Sequence, residues 1–210
     1  MSSEPQIIPL CVPPWEERTA LSRGARFSKE NGIHLTANDN TYDYLEWLPR
    51  RYDPRAKSPF LLPDMLPPST WGINVRSSVS EERWDELRRY TYAAAGYRCE
   101  ACGSGGQPHV EAHELWKFDE SSLKQKLVRL VCLCPLCHKA KHLGNANRLG
   151  MLEEVQDHLR EINGWNVREL VAHLERVTSD WERRSKLEWE LDLGWLLNYR
   201  VTSFGRPPKA

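Results

Sequence analysis

The chain has 210 residues, and its 29 basic and 29 acidic side chains leave it with no formal net charge. This balance excludes a protein that binds nucleic acid through its total charge, so any basic surface has to be local. Six cysteines, with no export signal at the start and no long apolar run, predict a soluble cytoplasmic protein whose thiols bind metal rather than pair.

The composition predicts two units joined by a linker. Five prolines fall between Tyr52 and Ser69, a spacing that disfavours helix and favours an extended connector. The predicted division is a small α+β accessory domain over 1–57, a Pro-rich linker over 58–75, a zinc and metal domain over 76–150, a C-terminal helical extension over 151–200 and a tail over 201–210.

The first unit is predicted to hold short elements only. An apolar edge strand over 7–14 precedes a helix over 15–21, and a strand over 33–36 precedes a short helix over 42–48. The unit resembles a small domain of unknown function found on plasmid-borne primases and other DNA-processing proteins. The residues that carry this resemblance are Val12-Pro13, Glu17-Arg18, Gly24-Ala25-Arg26-Phe27 and Trp47-Leu48-Pro49.

The second unit begins with a helix that Ser80 caps and Gly96 ends. A strand over 110–118 carries His113, a second strand over 127–133 runs into Cys134, and a helix is predicted over 137–146. Strand, strand and helix around one metal site make a ββα finger. Two further helices, over 151–162 and 167–186, and a strand over 189–193 follow.

Two CxxC pairs predict a structural zinc site. Cys99 and Cys102 form one pair, and Cys134 and Cys137 form the other. Two such pairs complete a tetrahedral shell with Zn–S bond lengths of about 2.3 Å. The two remaining cysteines stand in apolar strand contexts and are predicted to be core residues.

Three histidines near these cysteines predict a second site. His138 and His142 are one helical turn apart, so both rings can face one divalent ion, and His113 on the facing strand can act as general base on a nearby water. The alternatives are that His138 or His142 completes the zinc shell or caps the helix, and that His113 is a hydrogen-bonded strand residue. His34, His109, His158 and His173 are predicted to lie on the surface or in the core.

The segments Tyr97–Gly103, Val110–His113 and Leu133–His142 resemble an HNH endonuclease domain. A wider resemblance to bacterial HNH-type proteins, from about Trp71 to Leu193, includes Asn74-Val75-Arg76, Trp84, Leu87-Arg88, His113-Glu114, Trp116 and Asp119. The resemblance implies an α+β fold with a zinc-stapled, treble-clef-like ββα finger flanked by helices. It also implies a divalent ion held by helix histidines, water activated by the strand histidine, and action on DNA.

The chain departs from the family pattern at two positions. Ala112 stands where the family has an extra ligand, and Glu111, Glu114 or Asp119 is the candidate replacement, with Glu111 on the face of His113. Arg129 stands in place of the family's Asn, and we predict that it clamps the scissile phosphate.

The leading hypothesis is therefore a bacterial or mobile-element HNH-type endonuclease with structural Zn²⁺ and a catalytic Mg²⁺, Mn²⁺ or Zn²⁺. Its expected partner is DNA, with RNA as the alternative, and the accessory domain is a candidate site for a protein partner. The rival hypothesis is a zinc module that binds nucleic acid or protein without cutting. Between Ser121 and Gly150 the chain has basic but no acidic residues, and the predicted nucleic-acid contacts are Lys124, Lys126, Arg129, Lys139, Lys141 and Arg148.

Overall fold

The structure, a computed structural model, describes residues 6–105 and 110–198, and it has the mixed α+β fold that the sequence predicts. The predictions for His109 and for the tail over 201–210 fall outside the described residues. The strands and helices are β1 (Ile7–Pro9), α1 (Glu17–Ser22), β2 (Arg26–Ser28), β3 (Gly32–Thr36), α2 (Val75–Ser78), α3 (Glu81–Ala94), β4 (Glu111–Asp119), β5 (Lys124–Leu133), α4 (Pro135–Lys141), α5 (Leu143–Arg148), α6 (Leu152–Asn163), α7 (Val167–Arg184), β6 (Glu190–Asp192) and α8 (Trp195–Asn198).

The first unit is a three-stranded antiparallel sheet with its own small core. The strand order is β1-β3-β2, so the proline-flanked β1 lies at an edge, as predicted. The strand β2 was not predicted, and only three residues of it pair with β3. Leu10, Leu35 and Trp47 fill the core, and the Trp47 indole donates to Glu16 over 2.7 Å. This hydrophobic cluster is separate from those of the second unit.

The second unit contains the predicted ββα finger. The strands β4 and β5 form an antiparallel hairpin in which His113 pairs with Val131, and α4 follows directly after β5. The short strand β6 adds to β5 in parallel. Two clusters of apolar side chains form on this unit, one with α4 and α6 around Val131 and Leu133 and one with α3 around Leu127 and Leu130.

The predicted helix over 137–146 is wrong as a single element. It is broken at His142, whose φ of −105° and ψ of 58° end α4 at Lys141, and α5 begins at Leu143. The backbone N–H of His142 still bonds to the carbonyls of His138 and Lys139, so the ring of His142 stays close to the last turn of α4.

The segment over 58–75, predicted to be a linker, packs into the second unit instead. Leu61 is 2 % exposed and belongs to the same cluster as the finger. Asn163, at the end of α6, accepts hydrogen bonds from the N–H groups of Phe60 (2.6 Å) and Leu61 (3.1 Å) and donates to the Leu61 carbonyl (2.8 Å). The hydroxyl of Thr70 donates to the amide oxygen of the fully buried Gln125 on β5.

The first unit contacts the first CxxC loop through backbone atoms. The N–H groups of Arg50 and Arg51 donate to the carbonyls of Glu100 and Ala101, over 2.7 and 3.1 Å. Gly96, with a φ of +57°, lies against the Val12 carbonyl so closely that a Cβ atom there would overlap it. This close approach explains why glycine follows α3.

The helices α6 and α7 are joined by a short connection at Gly164, whose φ of +68° ends α6, and they contact each other. Each presents apolar residues to the finger, among them Val155, Leu159 and Leu170. Among residues 6–105 and 110–198, no helix combines the length and the apolar character needed to cross a membrane.

Candidate metal centres

The four cysteines of the CxxC pairs meet in one cluster. Cys99 and Cys102 follow α3, Cys134 caps the N-terminus of α4, and Cys137 lies in its first turn. Their sulfur atoms all lie within 4.8 Å of one another, and those of Cys102 and Cys134 are 3.9 Å apart. A tetrahedral shell with metal–sulfur bonds of about 2.3 Å has sulfur–sulfur edges of about 3.8 Å. The group is therefore positioned to hold one metal ion.

Hydrogen-bond donors surround these sulfur atoms. The backbone N–H groups of Ser104 and Cys137 point at the sulfurs of Cys102 and Cys134, over 3.5 and 3.4 Å. The Nε2 atom of His158 is 3.1 Å from the Cys137 sulfur. Donors at these positions stabilise thiolates, which are the form that binds metal. Sequence reasoning missed His158 because it lies on α6, outside the motif.

The three histidines near the cysteines also meet in one cluster. His113 comes from β4, His138 from α4, and His142 from the break after α4. One ring nitrogen of each lies within 4.8 Å of the others, and the two Nε2 atoms of His138 and His142 are 3.2 Å apart. Tetrahedral ligands at about 2.0–2.1 Å from a metal are separated by about 3.3 Å. The structure brings together the three histidines that the sequence singled out.

Carboxylates contact one ring nitrogen on each of two of these histidines. Oδ2 of Asp64 is 2.9 Å from Nε2 of His113, and Glu111 contacts Nδ1 of His138. Histidines that bind metal commonly donate their second N–H to a carboxylate in this way. Glu111, predicted as a replacement ligand, thus meets a histidine ring. The other two candidates are bonded elsewhere, Glu114 to the N–H of Val75 and Asp119 to Lys126.

The surroundings of His138 and His142 favour neutral imidazoles. Burial, followed by repulsion from His113, lowers the pKa of His138 below its ordinary value. Burial, then repulsion from His113 and His138, lowers the pKa of His142 to about 4. Burial acts to raise the pKa of Asp64, but its hydrogen bond with His113 and the charge of Lys141 outweigh burial and lower that pKa. At neutral pH His138 and His142 can therefore each offer a ring lone pair to a metal ion, and Asp64 is an ionised carboxylate.

His113 lies deeper than its predicted role as a general base suggested. Its ring is 2 % exposed, Nε2 is taken up by Asp64, and the buried Nδ1 atom has no hydrogen-bond partner. An unpartnered buried nitrogen is costly unless something binds it, and a cation shared with His138 and His142 would satisfy Nδ1.

Half of the predicted nucleic-acid contacts are paired with carboxylates. Arg129 forms a 2.8 Å ion pair with Glu100 on the first CxxC loop. The other pairs are Lys126 with Asp119 and Lys141 with Asp64. The phosphate clamp at Arg129 and the basic surface remain predictions. Lys124, Lys139 and Arg148 complete the predicted set, and Arg148 donates to the Asn145 side chain.

No protein-family model, curated protein or solved structure matches the chain.

Proposed function

We propose that the chain is a metal-dependent endonuclease of the HNH type that hydrolyses phosphodiester bonds in DNA. Zn²⁺ would occupy the four-cysteine site and keep the finger folded, and a second divalent ion would occupy the three-histidine site. The observation that supports this most is the convergence of His113, His138 and His142 beside the cysteine cluster, on a ββα finger.

The donor set also narrows the choice of the second ion. Imidazole nitrogen suits Zn²⁺ better than Mg²⁺ or Mn²⁺, which prefer oxygen ligands. The separation of 3.2 Å between the ring nitrogens of His138 and His142 fits a tetrahedral site. Of the three ions expected from the sequence, Zn²⁺ therefore fits best.

In this proposal His113 is a third ligand. Its buried ring, held by Asp64, is suited to hold a fixed position, whereas a general base has to exchange protons with a water near the substrate. A divalent ion at the site would supply a hydroxide near neutral pH and neutralise charge on the phosphate. Lys124, Lys139 and Arg148 are the members of the basic set that form no described ion pair. Of these, Lys139 and Arg148, on α4 and α5, are proposed to contact the DNA backbone.

The role of His113 can be tested by measuring metal content and cleavage together. If His113 is a ligand, the His113→Ala variant should lose both the second ion and the cleavage activity. If His113 is a general base, the same variant should keep the ion, and its cleavage rate should fall about 10²–10⁴-fold. Retention of the ion would restore the role that the sequence predicted.

The activity itself is tested by nicking of supercoiled DNA with Zn²⁺, Mn²⁺ or Mg²⁺. His142→Ala should abolish nicking and reduce the bound metal from two ions per chain to one. His173→Ala is the matched control, because His173 lies on α7, stacks on Trp165 and is not part of the histidine cluster. Equal nicking by His142→Ala and wild type would contradict the proposal.

A second candidate function is a metal-binding module that binds nucleic acid or a protein without cutting. The pairing of Arg129 with Glu100 favours it, because a neutralised arginine is a poor phosphate clamp. The accessory domain would then supply the surface for a protein partner. A chain that binds two metal ions and DNA but never nicks it would support this candidate.

A further inference from the structure

We propose that Asp64 is a positioning residue of the three-histidine site, which makes the proline-rich segment part of that site. The inference rests on the divalent ion proposed above. It differs from everything the sequence indicates, because Asp64 lies 49 residues before His113 and outside the finger.

Asp64 is fixed by both elements that carry the histidines. Its backbone N–H donates to the carbonyl of Lys141 at the end of α4, over 2.8 Å. Its Oδ1 atom lies 3.2 Å from Nζ of Lys141, and its Oδ2 atom lies 2.9 Å from Nε2 of His113 on β4. A single carboxylate thus bridges the strand and the helix between which an ion would bind.

The contact with His113 determines which nitrogen can bind a metal. A carboxylate accepts hydrogen bonds, so the Nε2 atom directed at Asp64 carries a proton, and Nδ1 is the nitrogen left to bind a metal. That Nδ1 atom is the one that is buried without a partner. A negative partner also makes the ring a better electron donor to a cation.

Lys141 gives a way to separate positioning from simple structural support. It contacts the other oxygen of the carboxylate, and its side chain is 12 % exposed. If Asp64 only held the segment in place, the loss of either partner of this ion pair would have similar effects. If Asp64 acts through His113, only a change in its carboxylate should weaken metal binding, and the loss of the lysine charge should not.

The experiment uses the full chain with its thiolate-bound ion in place and titrates the three-histidine site with Co²⁺, followed by visible absorption. Asp64→Asn should weaken Co²⁺ binding about 10–100-fold, because loss of such an outer partner typically has this effect. Lys141→Met should bind Co²⁺ as tightly as wild type or more tightly. Asp119→Asn is the matched control, since that carboxylate pairs with Lys126 away from the cluster.

Two outcomes with the Asp64→Asn and Lys141→Met variants would overturn the inference while leaving the proposed function in place. One is an affinity of Asp64→Asn equal to wild type, and the other is an equal loss in Asp64→Asn and Lys141→Met. A wild-type chain that binds no second ion would overturn the proposed function as well. The Asp64→Glu variant controls for a folding defect in Asp64→Asn. It keeps the negative charge and should bind Co²⁺ more tightly than Asp64→Asn. A loss of Co²⁺ affinity at least as large as in Asp64→Asn would also refute the positioning role.

Discussion

Asn163→Ala tests whether the segment over 58–75 is part of the folded finger or only a connector. The Asn163 side chain is 4 % exposed and makes four hydrogen bonds. Its loss would leave the N–H groups of Phe60 and Leu61 and the carbonyl of Leu61 without this partner. Each buried polar group left unpaired costs about 1–3 kcal/mol, so the variant should be about 3–5 kcal/mol less stable.

The measurement is urea unfolding of the metal-loaded protein, with thermal unfolding in parallel. For a chain of this size, each kcal/mol lowers Tm by about 2–4 °C, so a loss of about 3 kcal/mol lowers it by about 6–12 °C. Asn166→Ala is the matched control. That residue is exposed and caps α7 by accepting from the N–H of Glu169, a contact worth about 1 kcal/mol. If Asn163→Ala lowers the free energy of unfolding no more than Asn166→Ala does, the packing of the segment over 58–75 is refuted and the prediction of a linker is supported.

Three further predictions concern the two metal centres and the basic surface. Cys99→Ser should lose the thiolate-bound ion and unfold the finger, seen by elemental analysis and circular dichroism; a native-like metal-free protein would contradict this. Arg129→Asn should leave the salt dependence of DNA binding unchanged, because Glu100 already pairs with that arginine, whereas a phosphate clamp would lower the slope by about one contact. Burial lowers the pKa of His142 in the folded protein to about 4, below the value of about 6.5 in an unfolded chain, so the unfolded chain binds a proton more readily as the pH falls. The metal-free protein should therefore keep its stability above pH 6.5 and lose part of it as the pH falls towards 4. A urea midpoint that does not change between pH 7 and 4.5 would contradict it.

The local patterns predicted the finger well. Ser80 does cap α3, and the four cysteines and the three histidines of the motifs come together as their spacing indicates. Such patterns are informative because residues four apart on a helix, or two apart on a strand, share one face.

The long-range contacts could not be predicted in this way. Proline spacing indicates that 58–75 avoids helix, and it does so apart from one 3₁₀ turn and α2, but it carries no information about what the segment packs against. Asp64 and His158 reach their metal-site partners from 49 and 21 residues away, and neither has a spacing that marks it in the sequence. The break at His142 was missed because the identity of that residue gives no signal for its unusual backbone angles.

The two candidate metal centres differ in how easily solvent can reach them, and this should show in the exchange kinetics of the ions proposed to occupy them. The four cysteines are at most 9 % exposed, and the first unit covers their first loop, whereas the His138 side chain is 25 % exposed. A chelator should therefore remove an ion bound at the histidine site quickly, and an ion bound at the thiolate site only as fast as the finger opens. The number of ions found per chain would then depend on how the protein was purified, and a brief chelator wash would produce a folded protein with only its thiolate-bound ion.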